Sequence, residues 1–276
     1  MTDPGSESIA RFAAAYGEFE NALDWPALER LYVDGPSEGF FSAEQIAAQR
    51  DTALLFAADF ADELQPGGTS LYVGVGLAEL PLLLFESIVL ERGVQAVTLP
   101  GAEARELERA RLVVEQRLEL ELPKIDTRSL ADLERVECDH LWFVSVVSDP
   151  TAFPALHRKL YGLAAPKAKP LVADTARAQE LISDALLRLA ERSLVHTTDE
   201  EFELLAEQAA RRGRELAPGP SARYSGIVGD PVRPCRLVKA GPGAGLSRGA
   251  GFVEEDELPP PRGGRRGGSA HGKRRS

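Results

Sequence analysis

The stretch Leu71-Tyr72-Val73-Gly74-Val75-Gly76, followed by the mainly apolar Leu77 to Phe85, constrains the fold more than any other segment. A short apolar strand that breaks at glycine and runs straight into a helix needs a parallel neighbour, with the helix packed back across the sheet. Glycine leaves room for a close ligand, and a helix starting there offers unpaired N–H groups. The same glycines also suit a tight strand-to-helix bend with no ligand, so the pattern leaves both readings open.

The segments after this one repeat the alternation. Leu71–Val75 reads as a strand and Leu77–Arg92 as a helix, with Pro81 in its first turn and Gly93 as its stop. Val94–Leu99 is a second strand, Pro100-Gly101 a turn, Ala102–Glu115 a charged helix and Arg117–Leu122 a half-exposed strand near an edge. Leu141–Val147 is almost continuously apolar, as a parallel strand covered on both faces should be. An irregular segment follows Asp149-Pro150 as far as Pro170, then a helix over Asp174–Arg192 and a brief strand over Ser193–His196. Thr198 caps a helix over Asp199–Arg212, which Gly213 ends. Tyr224–Val228 and Arg236–Lys239 form a closing pair around Gly229-Asp230-Pro231. This order predicts an α/β fold: a mostly parallel sheet with helices on both faces and an antiparallel pair at its end.

Residues 1–66 read as a helical cap. Ile9, Phe12, Tyr16, Phe19 and Leu23 recur at helical spacing, Pro26 restarts the helix, and 34–39 is a turn. Ser42, with Gln45 three residues on, opens another helix whose apolar face includes Ile46, Leu54, Leu55 and Phe56. The sheet domain spans 67–240. Residues 241–276 are rich in glycine, proline and arginine, and disorder is expected there because little apolar surface is available to bury.

The net charge of −11 disfavours nucleic-acid binding by the whole surface, yet six lysines or arginines and no acid lie from Arg262 onward. That tail suits RNA or an acidic partner. Cys138 and Cys235 are expected as separate buried thiols, and four scattered histidines predict no metal site. The longest apolar run, Leu80–Phe85, is too short to span a membrane, so a cytoplasmic protein is expected. Neither a P-loop nor a His-Glu-x-x-His motif occurs.

The element order, "LYVGVG" and the ending "SARYSGIVGDPVRPCRLVK" together resemble the class I S-adenosylmethionine-dependent methyltransferases over about Ser42–Ala240. The resemblance implies a Rossmann-like doubly wound sheet, S-adenosylmethionine as cofactor and methyl transfer to a substrate that the sequence does not name. It places the cofactor-binding motif on Tyr72, Gly74, Gly76 and Ala78, with Leu99 where the family often carries its ribose-binding acid and Glu103 as the nearest acid. Tyr72 stands where an acid is common, and Ala78 where a third glycine is. Asp149-Pro150 falls where amine methyltransferases hold the substrate amine, which makes Asp149 the catalytic candidate. Two alternatives come from other classes: a non-catalytic relative that binds protein or RNA, and a nicotinamide-dependent oxidoreductase.

Among other acids, Glu79 and Glu86 share a helix face and read as solvated positions. His140 is expected at the amino end of its strand, away from the site, while His157 and His196 are placed to reach the crevice. Removing everything after Ala240 is expected to leave the thermal unfolding transition unchanged. Calorimetry of the full and shortened chains checks this, and a broadened transition would show that the tail packs on the domain.

Overall fold

The computed structural model describes residues 4–33, 39–163, 167–219, 223–227 and 229–240; the notional RNA-binding tail and its expected disorder lie outside them. Met1–Ala240 forms one compact unit. Its helices are α1 (Pro4–Ala22), α2 (Trp25–Tyr32), α3 (Ala43–Glu63), α4 (Leu80–Ile88), α5 (Ala102–Leu118), α6 (Pro154–Leu160), α7 (Ala168–Leu186) and α8 (Asp199–Ala210). Its strands are β1 (Thr69–Val73), β2 (Gly93–Val97), β3 (Ile125–Asp126), β4 (Cys138–Phe143), β5 (Leu189–Thr198), β6 (Arg214–Pro218), β7 (Arg223–Tyr224) and β8 (Pro231–Lys239).

The strands form one sheet in the order β3-β2-β1-β4-β5-β8-β6, with β7 also paired to β8. The first five of these are parallel, and β8 runs antiparallel between β5 and β6. The chain winds outward from β1 to β3, then crosses back to β4. The order therefore reverses between β1 and β4, where open α/β sheets hold their ligands. This is the Rossmann-like doubly wound fold that the segment order predicts.

Alternation along each strand builds two cores. Tyr72, Ala96, Trp142 and Leu194 face α1, α3, α4 and α5, while Leu71, Val73, Phe143, Val195 and Leu237 face α7 and α8. The N-terminal helices complete the first core: Phe60 sits 5.1 Å from the rings of both His140 and His196, and Phe56 packs edge-on to Trp142 at 5.2 Å. Ser42 caps α3 by accepting the Gln45 N–H. Cys138 and Cys235 are buried free thiols.

Several boundaries move. α4 stops at Ile88, Glu91 turns the chain at φ 50°, and Gly93 opens β2 instead of ending a helix. Arg117–Leu122 is no strand: α5 runs through Leu118, because its first-core residues Leu107, Ala110 and Val114 bind it to the sheet, and the edge strand is β3. Leu54 and Leu55 are exposed; Ala53, Phe56, Ala57 and Phe60 are the buried stripe. β4 begins at Cys138, so His140 lies inside it. β5 runs ten residues; β7 pairs with β8 where the closing pair is expected, and β6, which pattern reading misses, pairs with β8 as well. Thr198 begins α8 without a side-chain cap bond.

Glu86 was expected in solvent, yet it is fully buried. It accepts from Tyr72 Oη at 2.5 Å, from Ser70 Oγ, and from Arg92 Nε at 3.0 Å, and His140 Nδ1 lies 2.9 Å away. Arg92, itself buried, also reaches Asp139 and the Gln65 carbonyl. Burial pushes the Glu86 carboxyl up, but the neighbouring His140 and the hydrogen bonds from His140, Ser70 and Tyr72 together hold it below the usual range. Removing one partner of such a pair strands a buried charge, at a cost of about 3–5 kcal/mol. Arg92→Met is expected to lower the urea unfolding free energy by that order, and adding Glu86→Gln should recover part of the loss.

Candidate functional site

The turn after β1 is fastened at every N–H. Gly74 and Val75 both donate to the Val97 carbonyl at the end of β2, at 2.9 and 3.1 Å. Gly76 N–H donates to Glu79 Oε2 at 2.9 Å, and Leu77 N–H to Glu103 Oε1 at 2.8 Å. Gly74 holds φ +79°, in the left-handed region, and a side chain there would meet Val146. A Cβ on Gly76 would stand 3.0 Å from Glu103 Oε1. Both glycines keep some solvent exposure, so the turn forms the floor of an open crevice.

Two acids converge on that floor. Glu79, expected in solvent, is buried at the start of α4. Burial drives its carboxyl up to about 7, against the Gly76 hydrogen bond and with a further push from Glu103. Glu103 comes from the first turn of α5, and Tyr32 of α2 donates to the same oxygen that takes Leu77 N–H. Burial raises the Glu103 carboxyl, the bonds from Tyr32 and Leu77 oppose this, and Asp149 adds to it. Glu79, Glu103 and Asp149 therefore share one electrostatic neighbourhood at the carboxyl ends of β1, β2 and β4.

The sequence-derived candidates separate. Gly74, Gly76 and Glu103 meet at the turn, and Ala78 lines the adjoining pocket. Tyr72 does not join them: it is fully buried below the turn, its hydroxyl bonded to Glu86, because odd and even positions of β1 face opposite cores. Leu99 is half exposed beyond the end of β2. Asp149 caps its own loop, with Oδ1 accepting from Thr151 and Ala152 at 2.6 and 2.7 Å. His157 sits beside that loop, Nδ1 2.6 Å from the Ser148 carbonyl. His196 lies in the core against Trp142 and His140, and burial holds its imidazole well below the ordinary range, so it is no crevice base.

A second acidic knot lies beyond β4, and sequence reading passes over it. Glu201 of α8 is fully buried and accepts from Val147 and Ser148 N–H at 2.6 and 3.2 Å, while its other oxygen has no hydrogen-bond partner. Burial raises its carboxyl to about 8, against those two bonds. Asp230 accepts from Ser145 at 2.7 Å and from Tyr161 at 2.8 Å, and Ser145 holds φ +56°. The signal for Glu79 and Glu86 was present in the chain, since each acid interrupts an apolar run. Nothing comparable marks Glu201, which lies in an acidic helix start.

Among the described residues, no cluster of three or more His, Cys, Asp or Glu could hold a metal, and no helix is long and apolar enough to cross a membrane. No family model matches the chain, and no curated protein matches it. Solved structures do resemble it. One is a magnesium protoporphyrin IX methyltransferase from Synechocystis with bound SAM, at 16% identity and TM-score 0.46, covering 87% of this chain and 99% of that one. A methyltransferase from Pyrococcus furiosus matches at 13% and 0.44, covering 68% and 83% respectively. TYW2 from M. jannaschii, in complex with AdoMet, matches at 12% and 0.41, covering 73% and 79%. At this identity the likeness is one of fold.

The raised carboxyls carry a pH signature. A folded-state value of about 7 or 8, against an unfolded value near 4.5, means that the native state keeps a proton which the unfolded chain loses in that window. Their contribution is complete below about pH 4.5 and is lost as pH rises through 7 and 8. Relative to wild type, Glu79→Gln and Glu201→Gln should each gain stability between pH 5 and pH 8, as urea unfolding at stepped pH checks. The sheet order, with antiparallel β8 inserted between β5 and β6, gives the chain a Rossmann-like, doubly wound and mostly parallel sheet.

Proposed function

We propose that the chain binds S-adenosylmethionine over the Gly74–Ala78 turn and transfers its methyl group to a nucleophile held in the same crevice. The observation that carries this reading is the meeting of Glu79 and Glu103 on the glycine turn, at the point where the strand order reverses. A crevice floored by carboxylates attracts a cation, and this cofactor carries both a sulfonium and an ammonium. The cofactor would supply an activated methyl group, so the protein's task is largely one of placement.

The residues fit that task. Gly74 and Gly76 keep the floor free of side chains. Glu103, on the helix beyond β2, is the acid in reach of ribose hydroxyls, and Tyr32 orients it. Glu79 brings a second carboxyl to the same turn. Asp149, beyond β4, keeps an oxygen outside its turn bonds for a substrate proton. Leu99 and Ala78 depart from the family pattern, and Glu103, four residues beyond Leu99, is the acid bonded to the turn.

Calorimetric titration of the purified chain with S-adenosylmethionine, S-adenosylhomocysteine and NAD tests the reading. Binding of both adenosyl compounds but not NAD is the expected result. Gly76→Val would drive its side chain into Glu103 and should abolish that binding while moving the melting temperature only a few degrees. Binding retained by the variant would move the site elsewhere. Heat with NAD alone would favour the oxidoreductase, and no binding at all would leave the non-catalytic alternative.

A further inference from the structure

Beside the glycine turn a narrow pocket opens between the N-terminal helices and the closing hairpin. It is lined by Tyr16 of α1, Phe56 of α3 and Trp142 of β4, together with Glu79, Gln49 and Ser225. Trp142 is almost fully buried, wedged between His196 at 5.3 Å and Phe56 at 5.2 Å, and its indole N–H, short of a full hydrogen bond, acts on the Glu79 carboxyl. Aromatic walls around a carboxylate form the arrangement that binds ammonium groups, through ring quadrupoles and direct charge.

We propose that this pocket binds a compact ammonium group, held between Glu79 and the rings of Trp142, Phe56 and Tyr16, and that it receives the amine end of the methyl acceptor. Its identification with the acceptor rests on the methyl-transfer reading; the ammonium site itself does not. Among the described residues, no Lys or Arg lines the pocket. Arg50, the nearest on α3, lies over Tyr16 at 5.9 Å and is bound by Glu20 at 2.5 Å.

Binding a cation there must shift the proton on Glu79. The groups that act on this carboxyl are Glu103 of α5, Tyr32 of α2, Tyr72 of β1 and Trp142 of β4, and none of them is a cation. A bound ammonium would favour the carboxylate, so a proton leaves on binding and affinity rises as pH passes through about 7.

Tetramethylammonium, whose charge does not vary with pH, is the probe. Titrations would follow tryptophan fluorescence, and calorimetry at pH 6.5 in two buffers of different ionisation heat would count protons. The expected result is saturable binding with proton release, no response to the neutral analogue tert-butanol, and no loss of binding when S-adenosylhomocysteine is present. Glu79→Gln should weaken binding about tenfold, the order of losing a charged partner, and abolish the proton release. Trp142→Phe should remove the fluorescence change while Trp25 still reports. Unchanged binding by Glu79→Gln, an equal response to tert-butanol, or no saturation with a folded wild type would overturn the proposal. Displacement by S-adenosylhomocysteine would overturn it too, by giving the site to the cofactor's own ammonium. If tetramethylammonium binds with the Glu79 linkage and S-adenosylhomocysteine does not bind at all, the ammonium site stands and the methyl-transfer reading falls.

Discussion

The buried ion pair between Arg92 and Glu86 ties together more of this molecule than any other contact. Glu86 comes from α4, and its partners come from β1, β4 and the approach to β2. Arg92 extends the link to Asp139 and to the backbone before β1. With both side chains out of water, the pair is stable only because every neighbour supplies a hydrogen bond. This sets the height of α4 over the sheet, and the start of α4 sets where Glu79 stands.

The same logic recurs at the carboxyl edge of the sheet. Backbone N–H groups that would otherwise await an anion are taken by the chain's own acids, Glu79 and Glu103 at one turn and Glu201 at the next. Acids placed this way satisfy the backbone, and burial holds Glu79 and Glu201 protonated toward neutral pH. The N-terminal helices belong to this arrangement, since Tyr32 orients Glu103 and Phe56 supports Trp142.

Much of the fold could be read from the chain because its signals are local. The glycine turn, the apolar β4 and the alternation of strand and helix each show in a window of ten or so residues. Boundaries shifted where packing outweighed local pattern. α5 outran its expected end because its buried stripe continues along the sheet, and β6 went unseen because Arg214-Glu215-Leu216-Ala217-Pro218 has little strand character until β8 pairs with it. At the site, Gly74, Gly76 and Glu103 were legible, whereas Tyr72 was assigned by motif position to a crevice that its strand parity turns it away from.

By itself the sequence determined the class of fold, the place where a ligand could approach the backbone and the acidic balance of the domain. Those follow from residue type and spacing, which fix local geometry and total charge. Only the tertiary structure decided which acids matter. Glu86 and Glu79 lie two helical turns apart in the chain, yet one is neutralised inside a core network and the other lines a pocket with a carboxyl near neutrality. The reason is physical: a carboxyl's proton affinity depends on its distance from water and from other charges, and residues far apart in sequence set both.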